Sequence, residues 1–92
     1  MKPLDYRILS SRERREVREM YIEEQKGNCH HCGTPLSGEP SGAIMALPVK
    51  KSLFPPNFFK NPIHLHHSHK TGMTIGAVHC QCNAVLWQYH GE

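Results

Sequence analysis

The sequence predicts a small α+β domain held together by a bound metal, and three observations point there. With 92 residues the chain has room for a single domain, 1–92, whose core is marginal unless a metal or disulfides reinforce it. Four cysteines and eight histidines are far above ordinary usage. The apolar pattern changes from helical spacing near the N-terminus to strict alternation after Ile63. Two regions are expected inside the domain: an N-terminal helical region, 1–27, and a metal-knuckle and hairpin region, 28–92.

The helix comes first. Ser10 followed by Glu13 has capping-box spacing, and Ser11 to Lys26 contains neither Gly nor Pro until Gly27. Val17, Met20, Tyr21 and Glu24 share one face, and Arg12/Glu16 and Arg15/Glu19 sit four apart, as in a solvated helix. Five basic residues balance five acidic ones here, which suits structural support better than contact with nucleic acid. Gly27-Asn28 then stops the helix and leads into Cys29-His30-His31-Cys32-Gly33, the form of a zinc knuckle.

Thr34 to Pro62 is rich in Pro and Gly and is expected as a packed, irregular insertion with a short strand at Ala43 to Val49. Phe54, Phe58 and Phe59 could wedge between DNA bases, but they are expected in the core, since a small domain needs every large apolar group it has. A hairpin follows, with Ile63 and Leu65 on one face, His64 and His66 on the other, a turn at Lys70-Thr71-Gly72, and a second strand at Ile75 to Val78. A last helix spans Asn83 to His90, with Val85, Leu86 and Trp87 toward the core and Gly91 as its stop. No repeat or low-complexity tract interrupts this order.

No apolar run approaches a membrane span or a signal-peptide core, so a cytosolic chain with reduced thiols and no membrane partner is expected. Reduced cysteines are better metal ligands than disulfide partners, with disulfides as the plainer alternative. Net charge is +3, but its placement says more. Every acidic residue except Glu92 lies at or before Glu39, while Pro40 to Gly91 holds Lys50, Lys51, Lys60, Lys70 and six histidines with no carboxylate. That half can face a polyanion, although charge alone would also describe an ordinary lysine-dotted surface.

Zinc needs four soft or borderline donors in a tetrahedron, and two knuckles far apart in sequence supply them. Cys29 and Cys32 form the first. The second, His79-Cys80-Gln81-Cys82, offers both His-x-x-Cys and Cys-x-Cys. Two intervening residues give the turn its reach, which favours His79 with Cys82 and leaves Cys80 as a spare thiol, with the Cys80 pairing still open. A thioredoxin-like redox motif would need a repeated βαβ pattern that is absent. Beside the knuckles stands a cluster that structural zinc does not require: His66, His67, His69 and Asn83.

Leu65-His66-His67-Ser68-His69-Lys70-Thr71-Gly72, followed by Gly76-Ala77-Val78-His79-Cys80-Gln81-Cys82-Asn83, resembles the HNH nucleases of the phage recombination endonuclease VII group, and the likeness runs from Cys29 to about Leu86. The joint pattern is specific, whereas any one of its pieces is weak. The resemblance implies a ββα-metal core, with the hairpin packed on a helix that starts near Asn83 and zinc clamping the outside. It implies DNA cleavage, with His66 as first ligand of a catalytic divalent ion, His67 as general base and Asn83 as second ligand. By their own chemistry Lys70 and His69 would contact DNA, with site orientation or an ordinary surface position as the alternatives for His69. It also implies phage DNA-packaging proteins as partners in the cytoplasm of a bacterial host. Two departures stand out: His66 replaces an aspartate common in the group, and Thr74 lies where the middle Asn is expected.

The residue chemistry is consistent with this on its own terms. Neighbours on a strand point to opposite faces, so His66 and His67 would divide the work, one holding a metal and the other activating water, unless the strand is distorted there. Without carboxylates nearby, the imidazole of His66 suits manganese, cobalt or nickel better than magnesium. His90, seven residues after Asn83, shares its helix face but sits too near the chain end to serve as a ligand. The competing expectation is a noncatalytic zinc module that binds nucleic acid or protein. A zinc peptidase is disfavoured, since the chain lacks His-Glu-x-x-His and any carboxylate near the histidines to act as base.

Overall fold

The computed structural model describes residues 1–92, and their elements run in the order α1 (Ser11–Glu24), α2 (Gly42–Met45), β1 (Ile63–His67), β2 (Thr74–His79) and α3 (Cys80–His90). β1 and β2 form a two-stranded antiparallel sheet, making the domain a small α+β fold. Only 16 residues are buried, which accords with a domain that depends on more than apolar burial.

α1 begins as expected. The Ser10 side chain accepts from the Glu13 N–H at 3.1 Å and Glu13 accepts from the Ser10 N–H at 2.9 Å, a closed capping box. It ends in a Schellman turn, with the Gly27 N–H on the Ile22 carbonyl and the Lys26 N–H on that of Glu23. Lys26 itself takes the left-handed conformation at φ 56°, where Gly27 was the expected stop. Val17 and Tyr21 are buried, but Met20 is 54 % exposed, so the apolar stripe is narrower than its spacing suggests. Arg12 pairs with Glu16 at 3.5 Å, whereas no ion pair joins Arg15 and Glu19.

The insertion corrects two expectations. Ala43 to Val49 is no strand: its first residues form α2, and Ile44 alone among them is buried. The sheet offers this segment no partner, so its backbone groups bond locally, Met45 to Ser41 and Ala46 to Gly42 at 3.0 Å each. Phe54, Phe58 and Phe59 lie outside the core, half-buried in an aromatic cluster with Trp87.

The hairpin pairs Ile63 with His79 and Leu65 with Ala77, and its register slips between His66 and His67, whose partners are Gly76 and Thr74. Ile75 is therefore an extra residue, a bulge beside the paired histidines. The closing turn places Gly72 at φ 76°, hard against Arg7. The N-terminal segment lies along the same hairpin: the Tyr6 N–H donates to the Gly72 carbonyl at 2.8 Å and the Thr74 N–H to the Leu4 carbonyl at 2.7 Å. Thr74, at the expected middle-Asn position, spends its hydroxyl on Tyr21 at 2.8 Å and on the Leu4 N–H at 2.9 Å.

α3 starts at Cys80, three residues before Asn83, and ends at Gly91 with φ 71°. Val85 joins the single core cluster with Val17, Tyr21, Leu65 and Val78. Trp87, expected in that core, is 41 % exposed and turns instead to Phe54. The helix is fastened to the insertion by Gln88, whose amide donates to the Pro48 carbonyl at 3.1 Å and accepts from the Lys50 N–H at 3.0 Å. No helix is long and apolar enough to cross a membrane.

Candidate metal centre and adjoining cavity

The knuckle turn at Cys29, the end of β2 and the first turn of α3 bring Cys29, Cys32, His79 and Cys82 together, with all four donor atoms within 4.8 Å of one another. His79 Nδ1 lies 3.5 Å from the Cys32 sulfur and 3.6 Å from that of Cys82. A tetrahedral ion with Zn–N near ~2.05 Å and Zn–S near ~2.3 Å requires N···S separations of about 3.6 Å, so the donors already stand at zinc-ligand spacing. His79 Nε2 faces the Pro35 carbonyl at 2.9 Å, which fixes the proton on Nε2 and leaves Nδ1 for the metal.

The thiols respond to this crowding. The contact with Cys82 is the main cause holding Cys29 down at about 3, and the same contact is the main cause raising Cys82. Cys29 as thiolate thus leans on the proton of Cys82, which a bound cation would displace, and the set fits a structural metal such as zinc. Cys80 lies outside the cluster, and burial raises its thiol. The His79-Cys82 pair is thus the one the fold assembles.

On the other side of α3's first turn lies a cavity of about 720 Å³. His66, His67, His69 and Asn83 all line it; Lys70, in the hairpin turn, does not, and His90 is exposed and outside it. His66 and His67 face the same cavity despite being strand neighbours, which fits the bulge opposite them. Asn83 Nδ2 donates to His64 Nδ1 at 3.0 Å, so its amide nitrogen is committed and its oxygen is the remaining group. Burial is the main cause holding His64, His66 and His67 below the usual histidine range; Asn83 partly offsets it at His66, and the charges of His69, His66 and Arg14 add to it at His67. The imidazoles are therefore neutral near pH 7, the form that binds metals and accepts protons.

Chain and family comparisons come out uniformly. No protein-family model, curated protein or solved structure matches the chain.

The site includes residues the sequence did not single out. Tyr6 stacks on His67, and the Arg14 guanidinium lies 3.8 Å over the Tyr6 ring while donating to the Tyr6 carbonyl at 3.0 Å. Arg14, Arg15 and Arg18 line the cavity, on a helix whose charge balance suggested structural support. Their positions, i, i+1 and i+4, were the available signal; counting arginines against glutamates hid it, because the glutamates lie elsewhere on the helix. Glu92 lies beside the cavity without lining it, its carboxylate accepting from the His69 N–H at 3.3 Å.

Proposed function

We propose that the chain is a metal-dependent endonuclease of the HNH type, hydrolysing DNA phosphodiester bonds with His67 as general base in a ββα-metal core made of β1, β2 and α3. The observation that carries this reading is the convergence of His66, His67 and Asn83 on one arginine-walled cavity that no carboxylate lines. His66 and the Asn83 amide oxygen would hold a catalytic divalent cation, with water and phosphate as its other ligands. When bound, such an ion supplies charge stabilisation at a phosphate oxygen and at the leaving 3′ oxygen.

The chain's own residues do the rest. Neutral His67 takes the proton of the attacking water and is held in place by Tyr6. His64 orients Asn83 through the 3.0 Å hydrogen bond. Arg15 and Arg18 attract the phosphate backbone, and His69 adds a polar contact at the mouth. Zinc at Cys29, Cys32, His79 and Cys82 fixes the start of α3. Phage DNA-packaging proteins as partners, and the host cytoplasm as location, belong to this proposal through the sequence resemblance alone.

Nicking of supercoiled plasmid with added divalent ion tests the reading. The wild type should convert plasmid to the open circle, and His67→Ala should lose on the order of a hundredfold or more while binding DNA as before. A wild type that binds DNA and never nicks it would instead favour the noncatalytic zinc module.

A further inference from the structure

The cavity has a second wall that hydrolysis of a phosphodiester does not call for. Phe54 and Phe58 lie with ring centroids 4.6 Å apart, Trp87 meets Phe54 at 5.5 Å, and Phe58 meets His64 edge-on at 4.6 Å and 80°. A domain with so few buried residues would gain by burying these rings, yet they are left half-buried or exposed along the cavity. Opposite them in chemistry stand Arg14, Arg15 and Arg18. Arg14 is occupied by Tyr6, while Arg15 and Arg18 have no acidic partner. None of the 19 lining residues is Asp or Glu.

We propose that this cavity takes one unpaired nucleotide of a DNA strand, its base against Phe54, Phe58 and Trp87 and its phosphate against Arg15 and Arg18. An intact duplex keeps its base faces stacked on one another, so the aromatic wall would meet nothing, whereas an unpaired base presents its π-face to it. The size agrees: about 720 Å³ falls in the range of small-ligand sites. Charge complementarity selects the same occupant, since arginines without carboxylate partners suit a phosphate and an aromatic wall suits a base. The proposal rests on the nuclease reading for the choice of DNA, and it narrows the substrate to strands with unpaired nucleotides at the cut.

Trp87 is the only tryptophan in the chain, so its emission reports on the aromatic wall directly. The zinc-loaded chain, with no other divalent ion, is titrated with a short single strand, the same sequence as a blunt hairpin duplex, and an abasic strand of equal length. The single strand should quench Trp87 saturably and bind roughly tenfold more tightly than the duplex, and the abasic strand should bind with little quenching. Arg15→Gln with Arg18→Gln should weaken both single strands by roughly tenfold, and Phe58→Leu should narrow the gap between normal and abasic strands. Duplex binding as tight as that of the single strand, or single-strand binding that leaves Trp87 emission unchanged, overturns the proposal. Since no cleavage is measured, quenching by a chain that never nicks plasmid upholds this proposal and overturns the nuclease reading; nicking combined with duplex preference does the reverse.

Discussion

The Tyr6 ring lies flat on the His67 imidazole, with centroids 3.8 Å apart and planes 7° from parallel. Offset stacks of this kind fix an imidazole without using either ring nitrogen, which leaves both free for chemistry. Tyr6→Phe should therefore keep nicking near the wild-type rate, and Tyr6→Ala should reduce it by roughly tenfold through lost orientation. An alanine variant as active as the wild type would remove Tyr6 from the site.

The acid limb of the pH–rate profile follows from the direction of the His67 shift. Burial first, and then the charges of His69, His66 and Arg14, hold its pKa below the ordinary 6.5, so the base stays neutral down to lower pH than a free histidine. Activity should fall only as pH drops through that lowered value. Arg14→Gln removes one opposing charge and should move the limb to higher pH; an unmoved or lowered limb would contradict the assignment. Stability has the same sign: His64, His66 and His67 are kept neutral in the fold, so their contribution is present above about pH 6.5 and is lost as pH falls through the lowered values.

Zinc removal should unfold the domain, because structural sites of this class can contribute on the order of 10 kcal/mol. Chelation that leaves the circular dichroism and thermal midpoint unchanged would sink the structural-zinc reading. His79→Ala should destabilise far more than Cys80→Ser, since the Cys80 sulfur lies outside the donor cluster.

Metal preference tests His66. Nitrogen-rich donors favour manganese, cobalt or nickel over magnesium, and no Asp or Glu lines the cavity. Nicking should be best with manganese or nickel, and His66→Asp should shift preference toward magnesium. Magnesium as the best ion for the wild type would take His66 out of the metal shell.

Gly76 is where a single methyl should do harm. A Cβ there would stand 2.8 Å from the Gln25 amide oxygen and 2.9 Å from the His30 ring. Gln25 is not free to retreat, since it spans the Ala77 N–H and carbonyl at 2.9 Å each and the Asn28 carbonyl at 2.7 Å. Gly76→Ala should cost about 1–3 kcal/mol in denaturant unfolding. An unchanged midpoint would mean the knuckle and hairpin are less tightly joined than these contacts indicate.

What was legible in the sequence was local. The Ser10 capping box, the hairpin alternation and the knuckle spacing are written within a few residues, and the fold realises each. The Ala43–Val49 segment failed because β-propensity cannot tell whether a partner strand exists, and Trp87 and the phenylalanines failed because apolar character does not say which surface a ring will face. The site was half legible for the same reason. His66, His67 and Asn83 lie close to the knuckles and could be read with them, but Tyr6 and the arginines of α1 reach the cavity only through tertiary packing.

Cys82 and Asn83 are consecutive residues on the first turn of α3, one held in the sulfur cluster and the other facing the cavity. Adjacent helical positions point about 100° apart on a rigid backbone, so neither side chain can be displaced without tilting the other. The thiols thereby become a fuse: an oxidant that captures Cys82 and ejects the ion would swing the Asn83 amide away from His64. Under the reading proposed here, peroxide that ejects the ion should silence cutting and unfold the chain together, and thiol reductant with fresh zinc should restore both.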